Sequence, residues 1–237
     1  MKIVQVVHVF DYGDGIGNDI LKKDEIFREL GYQTVICAYE IHPKLQERAQ
    51  YFKDVVFEPD DIVLHNYSGG CILAQNVVKL KCKKVMIFHN ITPPQYMDGD
   101  LRNFCISGID QLKTLKGRYD FYVGDSQFNV DCLREMGVTE TGDVIPIVVE
   151  FPGTEHLKKI EHTEKIFLFV GRVAHNKKFE DIIEIFNYYF CNINANSRLL
   201  LPGNLNVSYD YTQRLRAQIA SLPSRNNIEL MGKVNDE

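Results

Sequence analysis

Residues 2–31 read KIVQVVHVFDYGDGIGNDILKKDEIFRELG. A nearly continuous apolar run ends in a glycine-bearing loop, a segment of helical period follows, and a glycine closes it. The run Lys2–Val9 reads as a strand buried on both faces, the pattern of a parallel sheet. Asn18 is placed to cap the following helix, Ile20, Phe27 and Leu30 fall on one face, and Gly31 stands where a left-handed stop belongs. Strand, loop and helix in that order form the repeating unit of doubly wound α/β folds.

Outward from this unit the alternation continues. Strands are expected at Gln33–Tyr39, Asp61–His65, Lys84–His89, Phe121–Gly124 and Val144–Val149, with a helix through Leu101, Phe104, Gly108, Leu112 and Leu115. Residues 152–165, PGTEHLKKIEHTEK, carry no apolar period and read as an interdomain linker. A second series follows: strand Ile166–Val170, helix Phe179–Phe190, strand Arg198–Leu201, helix Tyr209–Leu222 and strand Ile228–Met231, with Asn235, Asp236 and Glu237 suited to the first turn of another helix. The expected architecture is α/β: one complete Rossmann-like domain at 1–151, a linker at 152–165, and the first half of a second domain at 166–237. Half a doubly wound sheet leaves a strand edge unpaired and apolar helix faces uncovered. A C-terminally truncated chain, or one completed by a partner chain, is therefore expected.

The composition narrows the function. With 237 residues, 45% hydrophobic and 25% charged, the chain has a globular composition, not that of a disordered or collagen-like one. Lys plus Arg number 27 against 32 Asp plus Glu, so a net charge of -5 offers no field for nucleic-acid phosphates. The opening apolar run is far too short to span a membrane, and no signal-peptide cleavage pattern follows it. The six cysteines, with no C-x-x-C, read as thiols in a reducing cytoplasm and not as a disulfide frame or a zinc site. The basic run Lys79–Lys84 could touch an anionic membrane surface peripherally, at the inner face; a solvated connection is the favoured reading.

Three loops could carry chemistry. In Asp11-Tyr12-Gly13-Asp14-Gly15-Ile16-Gly17-Asn18 the glycines and the helix N-terminus suit an anion, phosphate being the natural one. A dinucleotide fingerprint fails there, because its third glycine would fall on Asn18 or Ile20. That disfavours a nicotinamide dehydrogenase with Glu40 on the ribose. In Gly171-Arg172-Val173-Ala174-His175-Asn176-Lys177-Lys178 a P-loop fails at Asn176 and Lys178, leaving Arg172 and Lys177 to grip a diphosphate or to form a plain solvated loop. His89, in His89-Asn90-Ile91-Thr92-Pro93-Pro94, and His65, in the run Asp61–Gly70, close strands at the edge where α/β sheets bind ligands; each could equally be structural. No H-E-x-x-H, G-x-S-x-G or carboxylate-rich metal pattern is present.

In this order the segments Asp14–Gly17, Asp61–Gly69, Ile87–Pro94, Phe169–Arg172 with Asn176–Lys178, and Ile228–Val234 resemble family 4 of the retaining GT-B glycosyltransferases over nearly the whole chain. The resemblance implies an acceptor-binding N-terminal domain that faces a nucleotide-sugar-binding C-terminal domain across a cleft. It implies that Arg172 and Lys177 hold the donor diphosphate, helped by the amides of Gly15, Ile16 and Gly17. His89 would lie near the transferred sugar, with catalytic weight on His89, Arg172 and Lys177, and Asp14, His65 and Asn90 on the acceptor side. A hexosyl unit would pass from a nucleotide-diphosphate sugar to a saccharide or lipid-linked acceptor, as in polysaccharide assembly, with retention, no metal and no cofactor beyond that co-substrate. The chain departs from the family at two places: it ends before the E-x7-E pair that binds donor hydroxyls, and Phe179 follows Lys178 where many members carry glycine. Weak or no activity of this chain alone is the corresponding expectation. The alternative is a non-catalytic or split acceptor-binding subunit that gains its donor site from a partner chain.

Overall fold

The structure, a computed structural model, describes residues 1–97, 99–149 and 163–234. The chain divides into two compact units, one of residues 1–94 with 99–152, the other of residues 153–237 with the stretch 95–98. Of the expected linker only 163–165 is described, and Lys165 already opens a strand. The acidic end at 235–237 lies outside the described residues.

The first unit holds strands β1 (Ile3–Phe10), β2 (Thr34–Ile41), β3 (Gln50–Tyr51), β4 (Ile62–Tyr67), β5 (Lys83–Phe88), β6 (Phe121–Gly124) and β7 (Thr141–Val144). Its helices are α1 (Gly15–Glu29), α2 (Ile72–Val77), α3 (Gly99–Thr114) and α4 (Gln127–Glu135). The strands form one sheet in the order β3-β2-β1-β4-β5-β6-β7, every pairing parallel. β1 lies inside the sheet between β2 and β4 and is buried along almost its whole length, which accounts for its nearly continuous apolar run.

At the end of α1, Gly31 takes a left-handed φ of 87°, and Tyr32 N–H donates to Phe27 O at 3.0 Å, so the expected glycine stop is present. Its start and its buried stripe differ from expectation. Asn18 lies inside the first turn, and Asp14 occupies the cap position. Leu30 is 67% exposed, whereas Asp19, Lys23 and Asp24 are buried. Ion pairs explain the exchange: Lys23 meets Asp19 at 2.5 Å, and Arg28 meets Asp24 at 2.9 Å. A buried charge is tolerated when it is paired and hydrogen-bonded. Asp19 also accepts the Val148 N–H at 2.9 Å, fastening the chain after β7 to α1. The strand expected at Val144–Val149 is therefore displaced: pairing with β6 occurs at Thr141–Val144, and the following residues turn towards α1.

The second unit holds β8 (Lys165–Leu168), α5 (Phe179–Asn192), β9 (Ser197–Pro202), α6 (Tyr209–Ser221) and β10 (Ile228–Gly232), its strands parallel in the order β10-β9-β8. Val173, Phe179, Ile183, Phe186, Leu199, Leu201, Tyr211 and Leu215 form its core. β8 pairs only with β9 among the described residues, and all four of its residues are exposed. Leu168 and Val170 stand 63% and 66% open to solvent, as do Ile185 and Tyr188 at 65% each on α5. Among the described residues, β8 thus offers an apolar edge with no second partner strand.

All six cysteines are free thiols, Cys37, Cys82 and Cys105 buried and Cys191 exposed; burial pushes the Cys37 thiol up to about 12. No helix among the described residues is long and apolar enough to cross a membrane.

Candidate functional site

In the first unit the chemistry-bearing residues gather at the carboxyl edge of the sheet. After β1 the chain turns through Gly13, whose φ is 75°, and enters α1 at Gly15. The first helical bond runs from Asn18 N–H to Asp14 O at 2.9 Å, and the Asp14 side chain caps nothing. The amides of Gly15, Ile16 and Gly17 therefore precede the first intrahelical bond, which is what an anion requires of a helix start. Gly17 is dictated by space: a Cβ there would lie 2.4 Å from Asp11 O. Asp14 itself is exposed.

One strand pair away, Asn66 at the end of β4, His89 just after β5 and Asp125 just after β6 meet in a single array. His89 Nδ1 faces Asp125 Oδ2 at 3.2 Å, and Nε2 faces Asn66 Oδ1 at 2.9 Å. Asn129, from the first turn of α4, donates through Nδ2 to Asp125 Oδ1 and to Phe88 O, the latter at 3.3 Å. The His89 side chain is 2% exposed. Both its nitrogens are engaged within the array, so the ring is buried and the residue meets solvent through its main chain. Asn90 follows with a left-handed φ of 69°.

His65 lies deeper. It is completely buried, its Nδ1 paired with the Tyr119 hydroxyl at 2.6 Å and its ring stacked on Tyr119, so it offers an acceptor nothing. Burial, then the neighbouring charges of His8 and His89, lower its pKa from 6.5 to about 3. The folded state thus keeps this ring neutral where the unfolded chain binds a proton. Its contribution to stability is complete above pH 6.5 and is lost as pH falls towards about 3. Urea unfolding of His65→Gln followed across that interval should show a shallower pH dependence than the native chain, by up to ~1.4 kcal/mol per pH unit, the slope of one proton.

In the second unit Gly171 to Lys178 connects β8 to α5. Gly171 N–H donates to Pro202 O at 3.1 Å and Val173 N–H to Asn204 O at 3.0 Å, binding the loop to the end of β9. His175–Lys177 form a 3-10 turn, and Lys178 closes it with a left-handed φ of 55°. α6 holds this turn. The Tyr211 hydroxyl accepts the Phe179 N–H at 2.9 Å and donates to the Glu180 carboxylate. Arg214 donates to His175 Nε2 at 2.6 Å, and the His175 ring lies 4.1 Å from that of Tyr211. Arg172 and Lys177 are left exposed, neither making an ion pair or side-chain hydrogen bond among the described residues. The Lys177 stem lies over the face of Gly171, with Cγ and Cδ each 3.9 Å from where a Cβ would stand. One turn therefore carries a fork of donors and a point charge, both uncommitted. The sequence placed the family's glycine position at Phe179; the residue that needs a positive φ is Lys178, while Phe179 is fully buried at the start of α5.

Among the described residues no group of His, Cys, Asp and Glu side chains has the arrangement of a metal site. The sequence matches no protein-family model and no curated protein. Solved structures do match. A glycosyltransferase from Rickettsia africae superposes with a TM-score of 0.68 at 14% identity, over 99% of this chain and 69% of that one. A UDP-forming α,α-trehalose-phosphate synthase from Burkholderia xenovorans gives 0.65 at 10% identity, over 100% and 75%. The chain has the GT-B glycosyltransferase fold. The lipopolysaccharide outer core galactosyltransferase WaaB shares that fold at a TM-score of 0.57 and 13% identity, over 99% of this chain and 69% of its own. In GT-B terms the glycine loop and the Asn66–His89–Asp125 array belong to the N-terminal unit, and Arg172 with Lys177 to the C-terminal one.

Proposed function

We propose that the protein transfers a hexosyl unit from a nucleotide-diphosphate sugar to a saccharide or lipid-linked acceptor, with retention of configuration and without a divalent ion. The observation that carries this reading is the turn at 171–178, where Arg172 and Lys177 stand exposed and, among the described residues, unpaired on a backbone that α6 holds in place. In sugar transfer from such a donor, negative charge develops on the departing diphosphate. Preorganised cations aimed at that charge stabilise it without reorganising at the moment of reaction. A guanidinium binds two phosphate oxygens at once, and an ammonium adds a compact charge, so the pair can serve where a divalent ion serves elsewhere. The free amides of Gly15, Ile16 and Gly17 are a second anion-binding element, proposed for the same class of ligand. Asp14 and Asn90, both reachable from solvent, remain the residues proposed for the acceptor side. His89 remains the residue proposed beside the transferred sugar, whereas the buried His65 is not reachable by an acceptor.

Incubation with a panel of nucleotide sugars in the presence of EDTA should release nucleoside diphosphate, with a transferred sugar whose anomeric proton keeps the donor's configuration. Strict dependence on Mg²⁺ or Mn²⁺, or an inverted product, contradicts the proposal.

A second reading has one observation in its favour, the apolar edge of β8 that pairs with no second strand among the described residues. In it the chain binds acceptor and a complementing chain supplies the rest of the donor site. Light scattering of the purified native protein separates the two, since only the second requires a stable heteromeric mass.

A further inference from the structure

The second unit holds a cavity apart from the turn at 171–178. It lies at the opposite, amino-terminal end of the sheet, where the chain leaves α6 and enters β10, and measures about 300 Å³. Arg216, Arg225 and Asn226 stand exposed around it, over Ile219, Ile228 and Leu230. Arg216 and Ile219 are three apart on α6 and share a face, and Ile228 and Leu230 are two apart and share a face of β10. The apolar floor is fixed, since its three side chains belong to or pack against the core of the unit. The rim is fixed as well. The 3-10 turn Arg225–Asn227 is fastened on both sides: the fully buried Ser224 donates through Oγ to Asn187 Oδ1 of α5 at 2.7 Å, and Asn227 donates through Nδ2 to Ser197 O of β9 at 2.9 Å.

The charge around this cavity has one sign. Residues 211–228 contain three arginines and no Asp or Glu, in a chain whose net charge is -5. Glu229, the one carboxylate on β10, is taken by Arg198 at 3.2 Å. Arg214 is occupied with His175, whereas Arg216 and Arg225 make no ion pair or side-chain hydrogen bond among the described residues. Cavities that hold small molecules begin at about this volume and combine apolar walls with a few placed polar groups. Two guanidiniums with open forks above an apolar floor select an oxyanion carried on an apolar body.

We propose that this cavity binds a small organic anion, a carboxylate or a phosphate on an apolar body: Arg216 and Arg225 receive the oxyanion, Asn226 adds a neutral donor, and the body lies on Ile219, Ile228 and Leu230. None of these residues belongs to the turn at 171–178, so the site stands or falls independently of the glycosyl-transfer reading.

Phenyl phosphate and phenylacetate serve as probes, with inorganic phosphate and benzyl alcohol as controls, titrated into isotope-labelled protein and followed by NMR. At least one of the two aryl anions should bind saturably and shift the backbone amides of residues 225–230 together with the Nε–H of Arg216 and Arg225; the tighter of the two names the oxyanion. Inorganic phosphate, which lacks the body, and benzyl alcohol, which lacks the charge, should each bind about tenfold more weakly or less. Arg216→Ala and Arg225→Ala should each weaken the aryl anion by about tenfold or more, the usual effect of removing one hydrogen bond to a charged group. Both residues are exposed, so the core resonances of each variant should stay in place. Arg172→Ala combined with Lys177→Ala should leave the shifts at 225–230 intact. No saturation by either aryl anion, shifts confined to 171–178, or undiminished affinity in both arginine variants overturns the site. Benzyl alcohol binding as tightly as the anions overturns the oxyanion role of the arginines, and inorganic phosphate binding as tightly overturns the role of the apolar floor.

Discussion

Arg172→Ala and Lys177→Ala should each lower sugar transfer by about 10² to 10³, the usual effect of removing one preorganised group that meets developing charge. The size follows from what the two side chains do not do. Neither makes an ion pair or side-chain hydrogen bond among the described residues, so none of these competes with a diphosphate for them. The same fact predicts that stability will hardly move, within about 0.5 kcal/mol, because exposed substitutions away from caps and pairs rarely exceed that. Arg172→Lys should recover little, since an ammonium cannot reproduce two parallel bonds to neighbouring phosphate oxygens. Thermal unfolding beside a nucleoside-diphosphate release assay checks both parts. A large drop in melting temperature would show that the residues serve the fold.

The second large effect concerns Gly203. A Cβ at this position would lie 1.7 Å from Gly171 O and 2.7 Å from Gly171 C, a distance no real contact sustains. Both obstacles are backbone, so no side-chain rotation relieves them. Gly203→Ala must separate the end of β9 from the strand leading into the cationic turn. It thereby strains or breaks the bonds from Gly171 to Pro202 and from Val173 to Asn204. Two backbone hydrogen bonds at about 1 kcal/mol each, together with overpacking strain, give a destabilisation of about 3 kcal/mol. Because Arg172 sits between the two lost bonds, diphosphate binding should fall as well. Urea unfolding together with hydrogen exchange over residues 166–173 should show both effects. Native protection of Gly171 and Val173 in the variant would mean that the close approach is not needed.

How far the sequence reveals all this differs from element to element. The β1, glycine loop and α1 unit is legible because a strand buried on both faces is apolar along its length and a left-handed stop demands glycine at position 31. β7 is not: its residues, Thr-Gly-Asp-Val, have poor strand propensity, and register with β6 alone makes them a strand. α2 escapes notice because it has only six residues and no side-chain cap. On α1 the apolar period misleads, since the buried stripe is built from the Asp19–Lys23 pair and Asp24, and pairing cannot be seen in a hydrophobic pattern.

The candidate site divides in the same way. Arg172 and Lys177 can be found because both charges lie within one loop between an apolar run and a helix. The Asp125–His89–Asn66 array cannot, because its members are 36 and 23 residues apart and are brought together only by the parallel register of β4, β5 and β6. A signal does exist in hindsight: each residue stands at or just past the carboxyl end of its strand. His65 illustrates the opposite error. Alternation along β4 puts it on the face of Tyr67, under α3, and Asn66 on the other, so two adjacent polar residues have opposite fates.

The central claim is that the turn at 171–178 receives a nucleoside diphosphate. Titration calorimetry of the purified chain with UDP and with GDP in EDTA, repeated for Arg172→Ala combined with Lys177→Ala, tests it without requiring turnover. Saturable binding of at least one nucleotide by the native chain, lost in the double variant, is the predicted result. Binding of equal strength in both proteins would contradict the account.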